Sequence, residues 1–224
     1  MIPTFNFNKI IRTLIVTDFF IYSGWGLIMP VLAVFIIDSI EGGDAGVVGM
    51  AIGIYWVAKS ILQIPIGKYL DRNHGEKDDY WFMVIGTFLA SLTPLLFLVS
   101  SEPWHIYGLQ IVHALGMAMA IPSWGGIFTR HIDKGREAET WGLESSSLGI
   151  GVGIAGIIGG FVAKSIGFTY LFVIVSVFGL LGSALLLVIR KDILSAESKG
   201  RQGKHLRHRG HAIHRQIKKH GHIK

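Results

Sequence analysis

The 224-residue sequence contains no cysteine, which excludes disulfide bonds, thiolate metal ligands and cysteine nucleophiles. Charged residues are also scarce, at 16% of the chain, against about 25% in a typical soluble domain. The sequence lacks a His-Glu-x-x-His pair, a Gly-x-Ser-x-Gly elbow and a Walker loop, which mark common classes of hydrolase and nucleotide-hydrolysing enzyme. We therefore expect a protein that is not an enzyme and that carries no cofactor or metal centre.

Long apolar runs are what the sequence has in abundance, because 50% of its residues are hydrophobic. A helix needs about 20 mostly apolar residues to cross a membrane. Six runs have that length, and they cover residues 13–37, 47–70, 81–99, 104–128, 141–164 and 168–189. The runs do not alternate apolar and polar residues, so helices are favoured over barrel strands. We predict an all-α membrane protein with six transmembrane helices.

The distribution of charge predicts how these helices are oriented. Basic residues of the loops fall almost entirely on one side of the six predicted spans, and basic loops stay in the cytoplasm. We predict a short cytoplasmic N-terminus (1–12), a transmembrane domain (13–192) and a cytoplasmic tail (193–224) in an inner or plasma membrane. The N-terminus has no small-residue cleavage site, so the first run is expected to be a retained span.

The tail differs sharply in composition from the rest of the chain. Residues 195–224 contain nine Lys or Arg and six His, a composition typical of disordered, basic interaction segments. Anionic lipid headgroups are the favoured partner, because each cation near a membrane surface contributes about 1 kcal/mol. Metal binding by the histidines and nucleic-acid binding by the cations are less favoured alternatives.

An internal repeat relates the two halves of the transmembrane domain. When the chain is shifted by 92 positions, Gly24 falls on Gly116 and Pro30 falls on Pro122. Each half then contains three spans, and an odd number of spans places the second copy upside down. Inverted three-helix repeats are typical of secondary transporters and place a binding site near the membrane midplane.

The loop after the second predicted span carries a family signature. It reads Gly67-Lys-Tyr-Leu-Asp71-Arg72-Asn-His-Gly75, which resembles the signature loop of the major facilitator superfamily. Weaker similarities to the family lie in the fourth span, at Gln110 and His113, and in the glycine-rich fifth span. The resemblance extends over about residues 10–192 and is greatest to the N-terminal half of the family's twelve-span fold.

The resemblance implies a half-size secondary transporter that works by alternating access. Its partners would be a second six-helix half, which is another copy or a separate chain, a small-molecule substrate, and a proton as a further cargo. The alternatives are a non-transporting membrane subunit and a fragment of a twelve-span transporter. The basic tail, which stands where a link to a seventh span would run, favours the half-size transporter.

Ionisable residues inside a span are costly and mark functional sites. Lys59 lies near the middle of the second span, where we expect it to bind an anionic group or to pair with an acid. Asp18 is the acid of the first span, about 8 Å from its predicted start, and we expect it to bind a proton or to form an ion pair with Lys59 or a loop cation. The candidate cavity residues are Asp18, Trp25, Tyr55, Lys59, Gln63, Gln110 and His113.

A second group of candidate residues lies at the predicted cytoplasmic ends of the spans. By the resemblance, Asp71 would pair with a helix end of the other half, and Arg72 and Arg130 would complete a charge relay. Glu144 opens the fifth predicted span, and this shallow position favours a salt bridge in the gate. The candidate gate residues are Gly67, Asp71, Arg72, Gly75, Arg130, Arg136 and Glu144.

Overall fold

The computed structural model describes residues 7–73 and 75–194, and the regular elements of this part are all helices. They are α1 (Lys9–Ile28), α2 (Leu32–Ser39), α3 (Ala45–Asn73), α4 (Glu76–Phe97), α5 (Pro103–His131), α6 (Glu137–Ile166) and α7 (Phe168–Leu186). A 3-10 turn follows α7 at Leu187–Ile189, and the chain is helical again from 190 to 194. The basic tail from 195 onwards, with its predicted lipid contacts, lies outside the described residues.

Six helices are long and apolar enough to cross a membrane, which confirms the predicted number of spans. They are Lys9–Ile28, Ala45–Arg72, Glu76–Phe97, Pro103–His131, Glu137–Ile166 and Phe168–Leu194. The last two are separated by a single residue, Gly167, whose φ of 87° lies in the left-handed region that favours glycine. The fold class is therefore an all-α membrane protein with six candidate spans.

The prediction of one continuous first span over residues 13–37 is wrong. Helix α1 ends at Ile28, and α2 begins at Leu32 after a turn. Pro30 has no N–H to donate and its ring disfavours helix on its N-terminal side, and the next N–H, that of Val31, donates to the carbonyl of Ile28 at 3.0 Å. The short α2 still packs into the bundle, since the ring of Phe35 lies 4.8 Å from the ring of Phe172 in an edge-on contact.

The helices of one half of the domain pack mainly against helices of the other half. Helix α1 packs against α6 and α7, helix α5 packs against α3 and α4, and α4 packs against α7. Helices α3 and α6 therefore stand at the two ends of this row of contacts. Only 11% and 17% of their apolar windows are buried, against 44% to 61% for the other spans. Two of the six spans thus keep most of their surface uncovered.

Close approach between helices depends on glycine. A Cβ atom added to Gly86 in α4 would lie 2.5 Å from the carbonyl oxygen of Gly116 in α5, and the reciprocal distance from Gly116 would be 2.8 Å. Such distances leave no room for a side chain at either position. In lipid, where burial from water does not drive helices together, small residues allow this close backbone packing.

Two apolar clusters fill the bundle and leave a polar layer between them. One contains Phe97, Phe172 and Ile28, and the other contains Tyr80, Phe128 and Leu14. Buried polar side chains occupy the helix segments between these clusters. They include Asp18, Ser23, Gln110, His113, Glu144 and Ser176. The candidate cavity residues of the sequence therefore meet at middle depth in the bundle.

Candidate functional site

A stack of three rings joins three helices at the centre of the bundle. The imidazole of His113 in α5 lies 4.0 Å from the ring of Trp25 in α1, with an angle of 22° between the planes. On its other face it lies 4.8 Å from the ring of Tyr55 in α3, at 16°. The His113 Nε2 atom is buried and has no hydrogen-bond partner among residues 7–73 and 75–194. Three of the predicted cavity residues are thus brought into direct contact.

Lys59 lies beside this stack. It is the middle residue of the 29-residue helix α3, about 21 Å from either end, and only 9% of it is exposed. Its Nζ atom lies 3.9 Å from the ring centroid of Trp56 and 5.5 Å from that of Tyr55. None of the ion pairs in the described part of the chain includes Lys59, so the pairing with Asp18 that the sequence left open is not formed.

Two buried carboxylates lie on α1 and α6, which pack against each other. Helix α1 begins at Lys9, earlier than predicted, which places Asp18 about 14 Å from the helix start. Helix α6 begins at Glu137, so Glu144 lies about 10 Å inside it rather than at its opening. Asp18 is 8% exposed and Glu144 is 9% exposed, and the two side chains interact electrostatically. The shallow depth predicted for Glu144 is therefore corrected.

Tyr22 connects the two carboxylates to the ring stack. It lies one helical turn beyond Asp18 and interacts electrostatically with Asp18, Glu144 and Tyr55. We group these side chains under the name polar track. Its members are Asp18, Tyr22, Trp25, Tyr55, Lys59, His113 and Glu144. The track has two carboxyl groups at one end and the amine of Lys59 at the other. Gln110 is buried one turn before His113, and Gln63 is half-buried one turn after Lys59.

Arg130 belongs to a charge cluster at the end of the bundle where α1 begins. Its guanidinium donates hydrogen bonds to Glu76 at 3.1 Å and to Asp79. The imidazole of His131 lies 3.6 Å from the same Glu76 carboxylate. These contacts join the C-terminus of α5 to the N-terminus of α4, where a cation and two acids each match the helix dipole. Arg130 is therefore paired within this chain.

The other predicted gate residues lie at several places around this cluster, and Asp71 interacts electrostatically with Asp79, a partner of Arg130. Arg136, at the start of α6, pairs with Glu139 at 2.8 Å and lies over the ring of Phe7. Asp71 and Arg72 are exposed at the end of α3. Gly75 precedes α4 in an extended conformation, with a φ of −124°, which any residue adopts. Gly67 lies within α3, and a Cβ there would contact Pro122 of α5 at 3.9 Å.

Several residues of these clusters were missed by the sequence reasoning, although helical spacing points to some of them. Trp56 precedes Lys59 by three positions and Tyr22 follows Asp18 by four, so each lies one turn from a predicted residue. Glu76 and Asp79 are three positions apart, so they also lie one turn from each other. Their partner Arg130 lies on a different helix, and only the packing of α4 against α5 brings it to them.

Two surface grooves lie away from the charged members of the polar track. A groove of about 400 Å³ between α4 and α7 is lined by residues such as Val84, Phe88 and Leu180. A groove of about 360 Å³ is formed by α1, α6 and α7, with Phe19, Ile154 and Leu171 in its walls. Nearly all the lining is apolar. Such surfaces suit contact with lipid chains rather than with a polar solute.

Comparison with known proteins adds a family match. A model of the Major Facilitator Superfamily matches residues 14–221. An uncharacterized MFS-type transporter of Methanocaldococcus jannaschii is 26% identical over 184 residues, which are 82% of this chain and 46% of that protein. The quinolone resistance protein NorA of Staphylococcus aureus is 26% identical over 158 residues, 70% of this chain and 39% of NorA. The matched region covers less than half the length of either relative.

Proposed function

Because this chain belongs to the Major Facilitator Superfamily, we propose that it is one half of a secondary transporter that moves a small solute by alternating access. The observation that carries the proposal is the polar track, which places Lys59, Asp18 and Glu144 in the middle of an apolar bundle. Charged groups at this depth are expensive and are retained where they bind a solute or an ion. The transporter lies in an inner or plasma membrane with both termini in the cytoplasm, as the basic loops indicate.

Alternating access by inverted repeats is supported by the pattern of helix contacts. The first helix of each half packs against the second and third helices of the other half, as an inverted two-fold relation requires. The same shift of 92 positions that pairs Gly24 with Gly116 also pairs Phe178 with Gly86. A Cβ on Gly24 would lie 3.3 Å from Phe178, and one on Gly116 would lie 2.8 Å from the oxygen of Gly86. The two contacts are therefore equivalent.

A second six-helix half is proposed to cover α3 and α6. Both helices carry glycines at which an added Cβ would have nothing within 4 Å, and these glycines recur along one side of each helix. They are Gly49 and Gly53 on α3, and Gly149, Gly153 and Gly160 on α6. Rows of small residues are typical packing surfaces between membrane helices. The second half is another copy of this chain or a separate chain.

The lengths of the matched regions also favour the alternative that this chain is a fragment of a twelve-span transporter. The curated relatives are more than twice as long as the regions matched, so each of those chains continues well beyond the matched region. A fragment of a twelve-span transporter would show the same uncovered faces on α3 and α6.

Crosslinking tests which assembly occurs. The sequence has no cysteine, so a crosslink through a single introduced cysteine is assigned to that one position. We expect Gly153→Cys, on the open side of α6, to form crosslinked dimers of the full chain in native membranes. Leu181→Cys on α7, where Leu181 is 50% exposed, is the control and is expected to stay monomeric. Equal crosslinking at both positions, or none at Gly153→Cys, would argue against a homodimer through this face.

Transport itself is tested in proteoliposomes with an imposed proton gradient. The solutes are a dicarboxylate, a sugar, a quaternary ammonium compound and a quinolone, the last after the name of the staphylococcal relative. We expect at least one solute to enter faster than into protein-free liposomes, and collapse of the gradient to slow it. The Asp71→Asn variant is expected to insert normally and to transport slowly, because the carboxylate proposed to close the gate is missing. Equal uptake with and without protein contradicts the transporter proposal.

A further inference from the structure

The ammonium of Lys59 is a buried cation whose charge is only partly compensated. It lies at the middle of α3, and its contacts are the faces of Trp56 and Tyr55. A cation–π contact compensates only part of the hydration free energy that an ammonium loses at this depth. Buried Lys side chains are normally paired with an acid, yet no carboxylate of residues 7–73 and 75–194 forms an ion pair with this one.

A second polar group beside Lys59 also has no partner. His113 is 5% exposed, its Nε2 is without a hydrogen bond in the described part of the chain, and it interacts electrostatically with Lys59. An ammonium has three N–H donors and no acceptor, whereas a neutral imidazole has one N–H donor and one nitrogen acceptor. Lys59 therefore presents donors and positive charge without an oxygen acceptor, and His113 adds a further polar atom that has no partner in the described part of the chain.

We propose that the solute is an organic anion whose carboxylate or similar oxyanion binds the Lys59 ammonium. This inference rests on the proposed transport function and names the substrate class. An oxyanion supplies the acceptors and the negative charge that Lys59 lacks, and charge-assisted hydrogen bonds are the stronger kind. Trp56 is 53% exposed, so its ring has open surface for the apolar part of such a solute. His113 is a positioning residue that holds Tyr55 through the ring stack.

The anion that binds Lys59 has two candidate sources, because a carboxylate of the second half would neutralise Lys59 as well as the oxyanion of a solute. The solute is favoured by the exposed surface of Trp56, which a binding site for an organic anion uses. The experiment below separates the two sources. It uses the full chain in nanodiscs of zwitterionic lipid, so that lipid anions do not compete for the site.

The test compares three probes with the same ring and different charge, which are benzoate, benzamide and benzylamine at pH 7. Calorimetric titration is expected to show benzoate binding about tenfold or more tighter than the other two. Lys59→Met should remove this preference, whereas Lys59→Arg, which keeps the charge, should retain it. Lys164→Met, at the exposed end of α6, is the matched control and should behave like the unmodified chain.

Two results would overturn the inference. One is equal affinity for the three probes, including no binding of any, and the other is a benzoate preference that survives in Lys59→Met. If Lys59→Met instead abolishes crosslinking of Gly153→Cys while benzoate never binds, the anion comes from the second half and the solute proposal is overturned as well. Benzoate-selective binding without solute flux would contradict only the transport function, and flux without charge preference would contradict only the substrate class.

Discussion

Replacing Asp18 with Asn is expected to abolish uptake driven by a proton gradient while leaving exchange of solute across the membrane. Asp18 is 8% exposed and interacts electrostatically with Glu144 across the α1–α6 contact, and two buried carboxylates that repel each other are costly unless one of them is protonated. An Asn side chain resembles the protonated acid but cannot release a proton. Gradient-driven uptake in proteoliposomes should fall on the order of tenfold or more, because the carboxylate proposed to bind the proton is absent.

Two further variants make this result specific. Glu144→Gln is expected to reproduce the loss, because Glu144 is buried and interacts electrostatically with Asp18. Asp38→Asn, at the exposed end of α2, removes an acid of the same type from the surface and should transport normally. Gradient-driven uptake at the unmodified rate in Asp18→Asn would exclude the pair as the proton site, and loss of exchange together with uptake would indicate a damaged solute site instead.

The sequence is sufficient to predict the number of spans, because their length and hydropathy are local properties. It is not sufficient to place the break at Pro30. Pro65, Pro94 and Pro122 lie inside continuous helices, so proline alone does not decide between a break and a continuous span. At Pro30 the chain turns and starts a short helix whose Phe35 packs against Phe97 and Phe172. That packing joins residues distant in sequence.

The candidate site, like the fold, could be predicted only in part from the sequence. Lys59, Tyr55, Trp25 and His113 were selected one span at a time, and the structure brings them together because α1, α3 and α5 meet at the ring stack. Glu144 was assigned to the gate because the start of its helix was placed four residues too late. Its interaction with Asp18 depends on the crossing of α1 and α6, which no local pattern in the sequence specifies.

Gly159→Val is expected to destabilise the six-helix bundle strongly. A Cβ at Gly159 in α6 would overlap the backbone carbonyl of Leu27 in α1, and a backbone atom cannot move aside as a side chain does. Overpacking costs about 1–3 kcal/mol, and we expect the upper part of that range. The melting temperature in detergent should fall by roughly 5–10 °C, or the variant should fail to accumulate in the membrane. Thermal unfolding of the purified chain measures the change.

Gly160→Val is the matched control, because it changes the next residue of the same helix. A Cβ at Gly160 has nothing within 4 Å, so the melting temperature of the isolated half should stay the same. If a second half covers this side of α6, however, crosslinking of Gly153→Cys should fall in the Gly160→Val background. Helix α6 would then use adjacent glycines for two different purposes, one for packing on α1 within the chain and one for contact with the second half. A normal melting temperature in Gly159→Val would contradict the close crossing of α1 and α6, and with it the interaction of Asp18 with Glu144 there.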